Sequence, residues 1–371
     1  MSPTPIVPDY TGANVRGIIP ALLGPMKWDS ALPDWMPSVV AEAEQVVLLV
    51  LDGLGWDQLQ EHAALMPALS SLQGGRITTV APTTTSTALS SIATGLTPGE
   101  HGLIGYRMVV GGEILNVLRW AVNGDDRRRI YPPADIQRFP AFMGKAVPVV
   151  SPIELNGTAF SEAHLRGSVP VGWRAASSMP VEIRRLLQGG ERFVYAYYGS
   201  VDKIAHERGF GDYYEAELRA ADRLVSDVLE ALPDRAALLV TADHGQVDVG
   251  DRVIKPSASL LSLCALQSGE GRFRWFHARR GAAAELLAAA SAEFADSGWV
   301  MSRDQLIADG WFGATVSPAV AQRLGDVAAI AYEPVSYFDP GDLGPFDLVC
   351  RHGSVTSAEV YVPLVAGMRT R

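Results

Sequence analysis

The sequence has 371 residues, 48% of them hydrophobic and 19% charged, with a net charge of −10 and a pI near 5.2. This composition supports a sizeable core and excludes global disorder, while the negative field opposes nucleic acid phosphates and anionic membranes at long range. Cys264 and Cys350 form no CxxC pair, which argues against a disulfide framework or a thiolate zinc site. The start "MSPTPIVPDYTGANVRGIIP" has neither a basic region nor an apolar core, and no apolar run reaches the ~18 residues of a span, so a non-membrane protein of a reducing cytoplasm is expected.

In chain order, the first predicted element is a buried strand over Val46–Leu51 in "VVLLVLDGLGWD". It drives straight into Asp52, whose carboxylate must be paired, solvated or bound. Next, "TTVAPTTTSTALSSIATGLTPGEHG" reads as a hydroxyl-rich turn followed by a helix of small and apolar residues. A hydroxyl at a helix N-terminus meets the positive end of the macrodipole, which favours an alkoxide and an incoming phosphate. The plainer reading is an N-cap, and five hydroxyls in a row, Thr83 to Thr87, leave the nucleophile open. The stretch Gly111–Pro180 is rich in Pro and Gly, carries "GDDRRR", and is read as irregular chain wrapping the core edge.

A second buried strand is predicted at Phe193–Tyr198, followed by "YYGSVDKIAHERG". There Asp202 and His206 are four apart and share one face of a helical turn, a good chelate spacing for a divalent metal; the plainer reading is a surface ion pair. Helical periodicity covers Tyr213–Leu232, and a third buried strand, Ala237–Thr241, ends in Asp243-His244 of "LLVTADHGQVD". Residues 252–340 hold an Ala-rich helical segment and the strand-like "RFRWFHARR", and are read as an inserted α/β lobe near the active site, with 1–251 and 341–371 forming the core. Late in the chain, "LVCRHGSVTSAEVYVPL" places His352 before a glycine and ahead of another strand.

Strands alternating with helices predict an α/β fold, a doubly wound, mostly parallel central sheet with helices on both faces, plus the smaller lobe. Ligands of such sheets sit at the carboxyl ends of the strands, where Asp52, Asp202 and Asp243 lie. Three aspartates and three histidines around one hydroxyl suit two divalent ions, best Zn2+, with Mn2+ or Fe tolerating the same ligands. Three carboxylates converging without a cation would repel one another.

The order of these motifs resembles the alkaline phosphatase superfamily, and most closely its nucleotide pyrophosphatase/phosphodiesterase branch. The resemblance rests on "DG" after the first strand, "PTTT…TGLTPGEHG", the D-x3-H, "ADHG" and the late "HG". It implies that Asp202, His206 and His352 hold one zinc, and that Asp52, Asp243 and His244 hold the other. It selects Thr85, nine residues before the Thr94-Gly95 pair, as a nucleophile that also bridges toward the second metal. The implied reaction is hydrolysis of a small anionic phosphate ester, a diester or pyrophosphate, through a phosphothreonine, with no nucleic acid polymer as partner.

Two departures bear on the substrate. Tyr106 stands where the family usually has an Asn that donates to a phosphate oxygen, with Asn116 as an alternative donor. "STALS" replaces the family's aromatic-bearing segment after the nucleophile, so nucleotide specificity is not supported. Arg107, Arg119, Lys203 and Arg127–Arg129 are candidate phosphate clamps, although for each the plainer reading is a solvated charge. A phosphonoacetate-type or phosphomonoester hydrolase on the same metal site is the alternative within the class. A catalytically inactive binding member of the fold is the alternative from another class.

Overall fold

The computed structural model describes residues 3–25, 28, 31–342 and 347–369. Its centre is a seven-stranded sheet in the order Gln73–Thr78, Tyr361–Met368, Ala236–Thr241, Gln45–Leu51, Phe193–Tyr198, Pro148–Pro152, Val169–Trp173. The five strands from Ala236–Thr241 to Val169–Trp173 are mutually parallel. Tyr361–Met368 runs against its neighbours on both sides, so the sheet is mostly parallel. The middle strand reads "QVVLLVL" and is buried from Val46 to Leu51, as expected of a parallel strand covered on both faces.

Helices lie on both faces. Asp212–Ala231 packs with Met179–Gln188 and Ser200–Arg208, and Thr85–Thr94 packs with Ile18–Leu23 and Ala159–His164. The Asp212–Ala231 helix buries Tyr214, Leu218, Ala221, Leu224, Val225 and Val228, the apolar stripe its spacing predicts. Among the described residues, no helix is long and apolar enough to cross a membrane.

The stretch Gly111–Pro180 is more regular than its composition suggests. Pro148–Pro152 and Val169–Trp173 are strands of the central sheet. Their prolines hid them, yet Pro148 and Pro152 fall at the strand's two ends and Pro170 lies on the sheet's outermost strand, positions where a missing N–H is tolerated. Residues 107–126 form a small antiparallel meander.

Cys264–Glu270, Phe273–Ala278, Val327–Ala331 and Gly298–Ser302 make a separate four-stranded antiparallel sheet. One of its faces, with Phe273, Trp275, Ala328 and Ile330, joins the main hydrophobic core. The other, with Phe276, Val327 and Ala329, covers its own cluster with the Ala283–Glu293 helix.

Candidate metal centre and active site

Three neighbouring parallel strands end at one place and bring the acidic groups together. Val50 pairs with Thr241 and Leu51 with Tyr198, so the next residues of each strand meet. The Asp202 backbone N–H donates to the Asp52 carbonyl at 3.1 Å, and the Gly53 N–H donates to Asp243 Oδ1 at 3.0 Å. Asp202 and His206 ride on one face of the Ser200–Arg208 helix, with His206 Nε2 3.3 Å from Asp202 Oδ1. His244 Nε2 lies 3.4 Å from Asp243 Oδ2 and 3.7 Å from Asp52 Oδ1. His352 Nε2 is 4.0 Å from Asp202 Oδ1, and its ring stacks on that of His244 at 3.7 Å.

The histidines are held in one tautomer by backbone. Nδ1 of His206 faces the Cys350 carbonyl at 2.6 Å, Nδ1 of His244 the Gly245 carbonyl at 3.1 Å, and Nδ1 of His352 the Thr83 carbonyl at 2.8 Å. A carbonyl only accepts, so each Nδ1 carries the proton and a neutral ring leaves Nε2 with its lone pair facing the carboxylates. Burial, which disfavours the charged ring, lowers the pKa of His244 and takes that of His352 well below its ordinary value, so both are neutral.

The carboxylates show the complementary strain. Burial raises the pKa of Asp52 well above the usual range, and the charges of Asp243 and Asp202 add to it. Burial likewise raises Asp202, against the pull of His206 and Lys203, and raises Asp243, against that of His244. Asp52 Oδ1 and Asp243 Oδ2 are buried with no hydrogen-bond partner among the described residues. Two orphaned carboxylate oxygens beside bare imidazole nitrogens fit divalent cations. Asp202, His244 and His352 each bring one ligand atom within 4.8 Å of the others, as do Asp52, Asp243 and His244. His244 thus stands between the two groups.

Of the five hydroxyls, Thr83, Thr84, Ser86 and Thr87 are buried and Thr85 alone is partly exposed. Thr83 is spent on the His352 loop, donating to the Ser354 carbonyl and accepting from the Gly353 N–H. Ser86 donates to the Gly105 carbonyl. Thr85 opens the Thr85–Thr94 helix, with its Oγ1 3.1 Å from His244 Nε2. Every residue of the helix after Thr85 is buried, its Ser90 and Thr94 hydroxyls donate to carbonyls one turn back, and it ends at Gly95 in the left-handed conformation.

A cavity of about 430 Å3 opens over Thr85, lined by Thr84, Tyr106, Arg119, Lys203, Glu270 and Arg351 among others. A second, apolar chamber of about 240 Å3, with Leu89, Leu118, Leu155, Phe160 and Leu165 in its walls, meets the first at Thr85, Asp202 and Lys203. Tyr106 reaches the first cavity, whereas Asn116 sits behind it and donates from Nδ2 to the Tyr106 hydroxyl at 2.7 Å. Of the candidate clamps, Arg119 and Lys203 line the cavity. Arg107 does not: it is buried and paired with Asp339 and Asp342. Arg127 pairs with Glu113 and Asp125, and Arg128 with Asp126.

Sequence reasoning missed four neighbours of the site. The Tyr197 hydroxyl donates to Asp52 Oδ2, and Gln246 Nε2 donates to Asp202 Oδ1 at 3.0 Å. Tyr197 lies one residue before the end of its strand, and Gln246 two after His244, so proximity to the strand ends was the available signal. Glu270 and Arg351 reach the cavity from segments that no local pattern linked to it.

The model of the family described as type I phosphodiesterase / nucleotide pyrophosphatase matches residues 46–119 and 174–297, together more than half of the chain. No curated protein matches the chain in sequence. Among solved structures, murine ectonucleotide pyrophosphatase/phosphodiesterase 5, in an inactive form in complex with AMP, superposes with a TM-score of 0.64 at 13% identity over 88% of each chain. Phosphonoacetate hydrolase from Sinorhizobium meliloti 1021, in complex with phosphonoformate, superposes with a TM-score of 0.64 at 18% identity over 88% of this chain and 91% of the other. The central sheet, the strand-end cluster and the span of the family match agree: the chain belongs to the type I phosphodiesterase/nucleotide pyrophosphatase family of the alkaline phosphatase superfamily.

Proposed function

We propose that the chain is a two-metal hydrolase of phosphate diesters or pyrophosphates that works through a phosphothreonine on Thr85. The observation that carries this reading is the meeting of Asp52, Asp202, Asp243, His244 and His352, with His206 3.3 Å from Asp202, beside the one partly exposed hydroxyl of its segment. Asp202, His206 and His352 would hold one ion and Asp52, Asp243 and His244 the other, with Thr85 turned toward the second. Bound there, divalent cations, best Zn2+, would lower the pKa of the Thr85 hydroxyl and neutralise charge on the departing oxygen.

The chain's own groups supply the rest. The helix N-terminus under Thr85 stabilises a phosphoryl group joined to its Oγ1. Thr85 Oγ1 forms a bond to phosphorus as the bond to the first alcohol or phosphate breaks. Water then displaces Thr85 and releases a phosphomonoester, so two in-line displacements give net retention. The two chambers meeting at Thr85 offer separate room for two substituents on one phosphorus, which favours a diester over a monoester.

The lobe over 252–340 contributes Glu270 and Gly271 to the cavity wall in this reading. A reducing compartment suits the free, buried Cys264 and Cys350. A second reading, hydrolysis of a phosphonate of the phosphonoacetate type, is supported by the likeness of the fold to phosphonoacetate hydrolase and by Tyr106 in place of the asparagine expected of a diesterase.

The test is zinc reconstitution followed by assay on bis(p-nitrophenyl) phosphate, a monoester and phosphonoacetate. About two zinc ions per chain and turnover lost with EDTA are expected. Thr85→Ala should lose activity by about a thousandfold or more while still binding zinc. A protein that takes up no transition metal, or a Thr85→Ala variant as active as the parent, would sink the reading.

A further inference from the structure

Among the described residues, the buried and half-buried guanidinium groups are matched by acceptors, and Arg351 is the exception. Arg272 is fully buried and forms a two-pronged pair with Glu359 while donating to the Glu333 and Val335 carbonyls. Arg107 and Arg274 share Asp339 and Asp342. Arg323 donates to the Gly102 and Ile136 carbonyls. Arg351 is half-buried, immediately before His352, and lines the cavity over Thr85. Its Nε is buried without a hydrogen-bond partner, and no hydrogen bond or ion pair of its side chain occurs among the described residues.

An arginine partly out of water and unpaired is costly, so the position calls for an acceptor that is not part of the protein. The nearby carboxylates Asp342 and Asp347 attract the guanidinium through space, but neither forms a hydrogen bond or salt bridge with it among the described residues. Asp342, on the same cavity wall, is committed to Arg107 and Arg274. Glu270 directs Oε2 to the Tyr106 N–H. The guanidinium is also held in place, because it packs against the bare Cα of Gly271: a Cβ there would lie 3.0 Å from Arg351 Nη1. Arg119 and Lys203 are exposed, line the same cavity, and add positive charge at its rim. Among the described residues none of these three cations forms a salt bridge, and they share one opening on a chain of net charge −10.

The phosphoryl group that Thr85 attacks belongs to the strand-end cluster, so these cations face something else on the substrate. We propose that Arg351 is a specificity-determining residue that receives a second anionic group, a carboxylate or a further phosphoryl group, on the part of the substrate lying in this cavity, with Arg119 and Lys203 assisting at the rim. The inference rests on the hydrolase reading above and narrows its substrates to those carrying two anionic groups. A planar guanidinium takes either oxyanion in a two-pronged fashion, which an ammonium cannot do.

Calorimetric titration of the zinc-loaded protein with three probes tests this. Methylphosphonate carries one anionic group, phosphonoacetate adds a carboxylate, and methylenediphosphonate adds a second phosphoryl group. At least one of the two doubly anionic probes should bind the parent about 10-fold to about 100-fold more tightly than methylphosphonate, as expected for a charge-assisted pair. Which one does so separates the carboxylate from the phosphoryl source. Arg351→Gln should erase that preference, and Arg351→Lys, which keeps the charge and most of the volume, should keep only part of it. Equal affinities of the parent for all three probes, or a preference that survives Arg351→Gln, overturns the inference. Turnover of bis(p-nitrophenyl) phosphate, which has no second anionic group, is measured on the parent in parallel. Turnover of phosphonoacetate and of a pyrophosphate is measured beside it, and absence of turnover of all three counts against the hydrolase reading, whereas the binding ratios judge Arg351.

Discussion

Glu270 keeps Oε2 on the Tyr106 N–H at 2.8 Å and leaves Oε1 buried without a partner. Burial pushes its carboxyl up to about 8, from an ordinary value of 4.5, with the Tyr106 N–H and Arg274 pulling it down and Asp342 raising it. The folded state therefore holds a proton that the unfolded chain releases above pH 4.5. Between pH 4.5 and 8 the folded form binds more protons, so this residue's contribution to stability falls as pH rises, and the loss is complete above 8. In zinc-loaded protein, Glu270→Gln should unfold at nearly the parent's urea midpoint near pH 4.5. At pH 8 and above it should be more stable by an amount on the order of a few kcal/mol. Urea midpoints of the two proteins that move in parallel across that range would show that Glu270 does not keep its proton.

At the scale of elements, the site depends on how tightly three strand ends are turned. Gly53 follows Asp52 with φ of 77°, and a Cβ there would lie 2.9 Å from both Cα and Cβ of Asp202. Gly53→Ala adds left-handed strain, roughly 1 to 2 kcal/mol, and pushes the Ser200–Arg208 helix away from the Asp52 turn. A lower thermal midpoint together with weaker zinc binding is the expected result, read by calorimetry with and without the metal. Unchanged zinc affinity would mean that the helix does not need its present approach to Asp52.

The same geometry explains what the sequence disclosed. The strands over 45–51, 193–198 and 236–241 were legible because burial on both faces writes a continuous apolar run. Asp52 and Asp243 stood out as charges abutting such runs, and Asp202 and His206 by their helical spacing. Pro148–Pro152 and Val169–Trp173 were illegible because they are short and proline-bearing. Thr85 could not be told from its neighbours by composition alone, since what distinguishes it is exposure. Arg351 and Glu270 were missed because their significance lies in a partner each lacks, a property of three-dimensional packing.

Across the whole molecule, one buried pair ties the smaller sheet to the wall of the site. Arg272, in the turn between Cys264–Glu270 and Phe273–Ala278, meets Glu359 at 2.8 and 2.9 Å, with both side chains fully out of water. Glu359 also accepts from the Ser354 N–H and the Thr356 hydroxyl, so it fixes the loop that follows His352. Phe273 and Trp275 of the smaller sheet share a hydrophobic core with Val46–Leu51 of the central one. A continuous core predicts one cooperative unfolding transition for both sheets. Removing one member of a buried ion pair strands the other, at a cost of about 3 to 5 kcal/mol. Arg272→Ala should therefore lower the thermal midpoint sharply and weaken zinc binding through the His352 loop, while still unfolding in a single calorimetric transition. The double change Arg272→Met with Glu359→Gln leaves no stranded charge and should recover most of the lost stability. Zinc affinity should recover less, because the paired carboxylate that orders the Ser354 and Thr356 contacts is gone. Two separate transitions in the parent protein would contradict the shared core, and a double variant no more stable than Arg272→Ala would contradict the stranded-charge account of Glu359.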